Sequence, residues 1–258
     1  MREIEIDELR NLQLDMMDDI HQFCVGHNIR YSLSGGSLLG AVRHKGFIPW
    51  DDDMDIMLPR PDYDRFIKEY IGSSEIYSIQ TYRNDDSYYN VFSKIYDSRT
   101  IVYEPKIITG VFIDVFPVEG LPSENPDRFL KEFHRRRIRL WRSTIYARHE
   151  NFVARIKDAC KNLLYPNREK YIREFEEWIN INSFDDSVMV GAISGSYGNK
   201  EVMPHDVFID YVDMPFENRV FKGIKQYDTY LGSIYGNYME WPSKEKRQGH
   251  PFKAYWKE

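Results

Sequence analysis

Between Asp51 and Asp55 the chain sets four carboxylates, Asp51, Asp52, Asp53 and Asp55, in five positions, then runs straight into Ile56-Met57-Leu58. Such a short apolar run closed by Pro59 predicts a buried strand over Met54–Leu58. Acids on a buried strand are costly unless a cation or hydrogen bonds meet them. Side chains alternate along a strand, so Asp53 and Asp55 would share a face and repel each other. A hard divalent ion would neutralise the pair and leave coordination positions for phosphate oxygens. The plainer alternative is a solvated turn, with Asp55 capping a helix or pairing with a basic side chain. A further acid, Asp114, stands alone in the apolar run Gly110–Pro117 (GVFIDVFP), where burial again asks for a partner.

Upstream of the acids, Arg30–Ser34 reads as a strand ending in Gly35-Gly36-Ser37, and Ser37–His44 as a helix. Glycines let a backbone come close to a ligand, and the free N–H groups of a helix start favour phosphate oxygens. Arg43, His44 and Lys45 add positive charge shortly afterwards. Asp7–Asn28 carries Leu9, Leu12, Met16, Ile20 and Phe23 at helical spacing, and Pro61–Ile71 is a helix with Pro at its start. Val91–Tyr96, Thr100–Tyr103 and Val111–Val115 are β-rich. Beyond Pro126, Phe129–Arg148, Phe152–Leu164 and Glu169–Ile181 read as helices; from Val188 short strands and turns precede a last helix at Tyr227–Tyr235. The expectation is an α/β (α+β) fold, with a mixed-sheet core at 1–125, a helical insertion at 126–187, and strands and a helix at 188–258 that cap the core and complete its site.

Composition narrows the classes. With 258 residues, 42% apolar and 29% charged, the chain is globular rather than disordered, and a net charge of −6 argues against charge-driven binding of nucleic acid. Only two cysteines occur, Cys24 and Cys160, which suits a reducing compartment. With no secretory leader and no apolar run of the ~18 residues a bilayer span needs, the expected location is cytoplasmic. Arg128, Lys131, Arg135, Arg136, Arg137, Arg139, Arg142 and Arg148 put eight positive charges within 21 residues. Such a block is ordinarily a solvated helix surface; the sharper alternative is peripheral contact, through the 128–148 helix, with an anionic surface such as lipid headgroups or a phosphorylated glycan.

Strand, glycine turn, Asp-x-Asp strand and later Asp strand follow one another as in the nucleotidyltransferase superfamily. More specifically, GGSLLGAVRHKGFIPWDDDMDIMLPRPDYDRF, from Gly35, resembles the signature of the LicD family, which includes the fukutin-related proteins. The likeness continues through KIYDSRT (Lys94–Thr100), GVFIDVFPVEGLP (Gly110–Pro122), YGNKEVMP (Tyr197–Pro204) and YLGSIYGNYMEWPSKEKRQGH (Tyr230–His250).

The resemblance implies a nucleotidyltransferase-like core and a Mg²⁺- (or Mn²⁺-) dependent enzyme. It would move phosphocholine from CDP-choline to a sugar hydroxyl of a glycan or glycolipid acceptor, in a teichoic acid, lipopolysaccharide or capsule precursor, and release CMP. CDP-ribitol, CDP-glycerol or CMP-aminoethylphosphonate are alternative donors, and an inactive glycan- or nucleotide-binding module is the alternative from another class. Carried over by position, Asp53, Asp55 and Asp114 would hold the metal, with Asp51 an outer ligand or base. Gly36 and Ser37 would cradle the donor phosphates, with Arg43 and Lys45 offsetting their charge. Lys94 would reach a phosphate or form a surface ion pair, Lys200 and Glu201 would line the site, and Arg247 and His250 would close over the nucleotide. Of the aromatic residues, Phe47, Trp50, Tyr197, Tyr230, Tyr235, Tyr238 and Trp241 fall in these blocks and are the candidates for ligand contact. The other rings are assigned to the core.

Overall fold

The computed structural model describes residues 1–70, 72, 75–104, 107–145, 152–247, 249 and 253–258. The expected helix end at Arg148 and the candidate His250 lie outside them. The chain opens on β1 (Arg2–Glu3) and α1 (Ile6–Gly26), and β2 (Ser32–Leu33) leads into α2 (Gly35–Arg43). Then come β3 (Asp55–Pro59), α3 (Arg60–Glu69), β4 (Tyr77–Gln80), β5 (Ser93–Asp97), β6 (Thr100–Tyr103), β7 (Ile108–Thr109) and the long β8 (Phe112–Leu121). Three helices follow, α4 (Pro126–Ser143), α5 (Phe152–Leu164) and α6 (Arg168–Ile179). The remainder holds β9 (Met189–Gly191), β10 (Val202–Pro204), β11 (Tyr211–Phe216), β12 (Arg219–Ile224), α7 (Tyr227–Tyr235) and β13 (Ala254–Trp256).

The fold is mixed α/β. β3 is an interior strand of the main sheet, between β2 and β8, because Ile56, Met57 and Leu58 are apolar on both faces and need cover on both. β3 and β8 run parallel and pair Asp55 with Asp114, while β5 runs antiparallel on β8 and pairs Lys94 with Asp114. The far end of β8 pairs with β9, Leu121 opposite Met189, so the three helices leave and re-enter the sheet at one register position. Met16, Met17 and Ile20 of α1, Leu38 of α2 and Phe66 of α3 are buried in the core around this sheet.

A second apolar cluster joins the helical insertion to the 81–91 loop, through Phe129, Phe133, Leu140 and Phe175 against Tyr82 and Tyr88. Arg168 fixes that contact, its guanidinium donating to the Tyr88 carbonyl at 2.7 Å and to Thr144 Oγ1 at 3.0 Å. Inside the main body Arg60 and Glu119 form a buried pair, Nε to Oε2 2.7 Å, with the guanidinium over the Tyr63 ring. Among the described residues no helix is long and apolar enough to cross a membrane. Cys24 is buried and Cys160 exposed, both free thiols.

Candidate active site

The β2–α2 turn is built from backbone constraints. Gly35 has φ +48°, a left-handed conformation that costs a side-chain-bearing residue energy. At Gly36 a Cβ would stand 2.8 Å from Asp51 Oδ2, so the acid packs directly on the bare Cα. The helix starts at Gly35, two residues earlier than the sequence predicts. That shift redirects Ser37. Its Oγ is buried and accepts the Asp55 N–H at 2.8 Å, which ties α2 to β3 and leaves Gly36, not Ser37, at the wall of the cleft. The Ser34 N–H donates to the Asp55 carbonyl at 2.9 Å, completing the stitch.

Asp53 precedes β3 rather than sitting on it, because the strand begins at Asp55. It nevertheless lines the same cleft, of about 760 Å³, as Asp51, Asp55 and Asp114. The acidic loop is held from α1: Arg10 donates to the Asp51 carbonyl at 2.6 Å, and Gln13 to the Asp52 and Phe112 carbonyls at 3.1 and 3.3 Å. Neither residue stands out in the sequence, since a polar side chain on a helix ordinarily meets water. Carboxylate oxygens of Asp51, Asp52 and Asp53 lie within 4.8 Å of one another. Asp114 is instead drawn to Lys94, whose Nζ donates to it at 2.8 Å and lies 3.3 Å from a Glu104 oxygen. Lys94 is buried, so its ion pair is an interior one and not a surface one.

The electrostatics follow from the crowding. Burial raises the Asp55 carboxyl well above the usual carboxylate range, and Asp53, Asp114 and Asp51 raise it further; Lys94 offsets only part. Lys94 itself is raised, because Asp114 and Glu104 outweigh its burial. An all-oxygen donor set carrying excess negative charge is what a hard divalent cation fits.

The cleft is also lined by Tyr89, Phe92, Phe112 and Phe116, the last two flanking Asp114 along β8, and by His134, Arg137, Ile138 and Trp141 of α4. Phe92 and Phe116 are 4.5 Å apart between centroids, and the Lys94 ammonium lies 3.3 Å from the Phe112 centroid. The sequence assigns these rings to the core: Phe112 is buried there and Phe116 and Tyr89 pack against it, yet all of them also border the cleft. Alternation along β8 carried the signal, for Phe112, Asp114 and Phe116 share one face. Ser194 Oγ, at the cleft, is buried and meets no hydrogen-bond partner among the described residues.

Glu201 also reaches the cleft from a 3₁₀ turn at Gly198–Glu201. Its Oε1 accepts the Tyr230 hydroxyl at 2.6 Å; Tyr230 Oη lies 3.2 Å from Ser34 Oγ and accepts the Gly35 N–H at 3.4 Å. Burial pushes the Glu201 carboxyl up to about 7, with the Tyr230 bond pulling the other way. Tyr197 lines the cleft and shares a 2.6 Å hydroxyl contact with Tyr235.

Other expected site residues stand elsewhere. Arg43 donates to the Tyr238 and Glu240 carbonyls, at 2.6 and 3.1 Å. Lys45 borders a separate depression between α2 and β11. Lys200 donates to the Ile234 carbonyl at 3.2 Å, because the turn that aims Glu201 inward aims its neighbour at α7. Arg247 lies against the rings of Trp50 and Trp241, at 5.4 and 5.0 Å, and donates to the Pro242 carbonyl. Phe47 packs on Phe216 in the core, and Tyr238 donates to Asp228.

Comparison with known proteins gives this geometry a family. Residues 28–155 match the family model described as LicD/FKTN/FKRP, nucleotidyltransferase domain. Lipopolysaccharide cholinephosphotransferase LicD of Haemophilus influenzae is 32% identical over 260 residues, covering 97% of this chain and 97% of that protein. An uncharacterized protein of Rickettsia typhi is 43% identical over 63 residues, 24% of this chain and 20% of its own length. With a family model matching residues 28–155 and a relative alike over nearly the whole length of both chains, the chain belongs to the LicD family of phosphotransferases.

Proposed function

We propose that this enzyme transfers phosphocholine from CDP-choline to a sugar hydroxyl of lipopolysaccharide or a related surface glycan, releasing CMP. The observation that carries the reading is one cleft lined by both carboxylates and aromatic rings, with Phe112 and Phe116 on either side of Asp114 along β8. The acceptor oxygen forms a bond to the phosphorus distal to cytidine while the bond from that phosphorus to the CMP oxygen breaks. Asp53, Asp55 and Asp114 are the residues that would hold Mg²⁺ or Mn²⁺, which would offset charge on the phosphoryl oxygens as it develops. Asp51, outside that set, takes the proton of the attacking hydroxyl. Gly35-Gly36 lets the diphosphate approach the start of α2, and Arg137, which has no carboxylate partner among the described residues, supplies positive charge across the cleft.

Tyr89, Phe92 and Phe116 give a quaternary ammonium ring faces at the cleft, while the Phe112 face and Glu104 are taken by Lys94. That chemistry favours choline over ribitol or glycerol as the headgroup. CMP release is the test. Purified protein with CDP-choline and a lipopolysaccharide acceptor should release CMP only with Mg²⁺ or Mn²⁺, and Asp55→Asn should stop it. Release from CDP-ribitol or CDP-glycerol in place of CDP-choline would overturn the headgroup; no release from any CDP-alcohol would overturn the reaction.

A further inference from the structure

Helix α5 is inside out. Its half-buried residues are Ala154, Asp158, Lys161 and Asn162, the polar side, with Lys161 donating to the Thr144 carbonyl at 3.3 Å and lying 5.8 Å from the Trp141 ring centroid. Its apolar side faces outward: Phe152 is 73% exposed, Leu163 80% and Leu164 76%, with Val153 and Ile156 beside them. None of its residues is buried. Separations of four and seven gather Phe152, Ile156 and Leu163 into one stripe, and Arg155 and Lys157 flank it on either side. A soluble protein does not keep a contiguous apolar face open to water without a use for it.

The neighbouring helix supplies the charge. On α4, Arg128, Lys131, Arg135, Arg139 and Arg142 recur every three or four residues, so they form a single stripe, and all five are exposed. The rest of the chain has the opposite balance, the total being −6. The core-facing side of α4 is Phe129, Phe133 and Leu140, and a third side, His134, Arg137, Ile138 and Trp141, walls the cleft.

We propose that α4 and α5 form a docking surface for an anionic phospholipid bilayer. The apolar stripe of α5 enters the headgroup–acyl boundary, and the arginine stripe of α4 meets the lipid phosphates. Positive charge flanking an apolar helix face fits lipid phosphates better than it fits a second copy of this acidic chain. Because α4 also walls the cleft, docking sets the cleft beside the membrane surface. The surface stands on its own evidence and does not depend on which group the cleft transfers.

Cys160 lies on the exposed side of α5, and the other cysteine, Cys24, is buried, so a thiol-reactive environment-sensitive fluorophore reports on this face alone. The labelled protein should co-sediment with vesicles of phosphatidylcholine containing phosphatidylglycerol at roughly one part in three, and its emission should shift to the blue. It should do neither with pure phosphatidylcholine vesicles. Arg135→Glu with Arg139→Glu should weaken vesicle binding about tenfold or more, and Ile156→Glu with Leu163→Glu should abolish it. These positions are exposed, so circular dichroism should be unchanged. No binding to the anionic vesicles overturns the proposal. So does a dimer that Ile156→Glu with Leu163→Glu dissolves, for a second copy then covers the face.

Discussion

Replacing Glu201 by Gln should flatten the dependence of stability on pH. The carboxyl is buried and its pKa lies at about 7 against an ordinary 4.5, a shift equivalent to about 3 kcal/mol. Below pH 4.5 folded and unfolded chains both hold the proton, and the shift has no effect. From there to about 7 the unfolded chain ionises while the folded one stays protonated, so stability falls by about 1.4 kcal/mol per pH unit. Above 7 both are ionised and the whole loss of about 3 kcal/mol is in place. Gln keeps a carbonyl oxygen to accept the Tyr230 hydroxyl but has nothing to ionise. Urea unfolding of the two proteins at pH values from 4.5 to 8 isolates this group, because all other titrations cancel in the difference. The wild type should lose stability relative to Glu201→Gln across the window, and the variant should be the more stable at pH 8. Parallel curves would refute the reasoning, because they would mean that Glu201 is ionised in the folded protein at the same pH as in the unfolded one.

Three further outcomes follow from the geometry. Gly36→Ala should lower turnover about ten- to a hundredfold with little change in unfolding midpoint, since its methyl displaces Asp51 without touching the core; unchanged CMP release would remove Asp51 from the chemistry. Asp55→Asn should abolish turnover yet, in chelator at neutral pH, raise stability, because burial and the neighbouring Asp53, Asp114 and Asp51 make the charged carboxylate costly in the folded chain. Thermal melts with and without Mg²⁺ check this, and the stabilisation by the ion should shrink in the variant. Arg60→Met should cost about 3–5 kcal/mol by leaving Glu119 buried and unpaired, whereas Arg60→Met with Glu119→Leu should regain most of it, measured by urea unfolding.

The acids were legible in the sequence because burial makes an unpaired carboxylate expensive, so Asp55 and Asp114 in apolar runs had to mean something. α5 and α7 were legible to the residue from the helical spacing of their apolar side chains. Direction was the weak point. Arg43, Lys45 and Lys200 are close to the motif along the chain, but each is spent on a carbonyl or a surface depression, and only the turn geometry decides that. Ser37 was misread by a helix start two residues out. The Glu201–Tyr230–Gly35 relay spans residues far apart in sequence, and no local pattern encodes it.

The return of the chain at Leu121 and Met189 has a consequence for how such an enzyme can diversify. Residues 122–188 begin and end at one paired position of the sheet, so their length and sequence can change while the register of Asp55 against Asp114 stays fixed. Yet this exchangeable segment carries His134, Arg137 and Trp141 of the cleft wall. The insertion thus adds side chains to a cleft whose acids are carried by the sheet and the loop before it. An exchange of residues 122–188 would change that part of the cleft lining and leave the paired aspartates where they are.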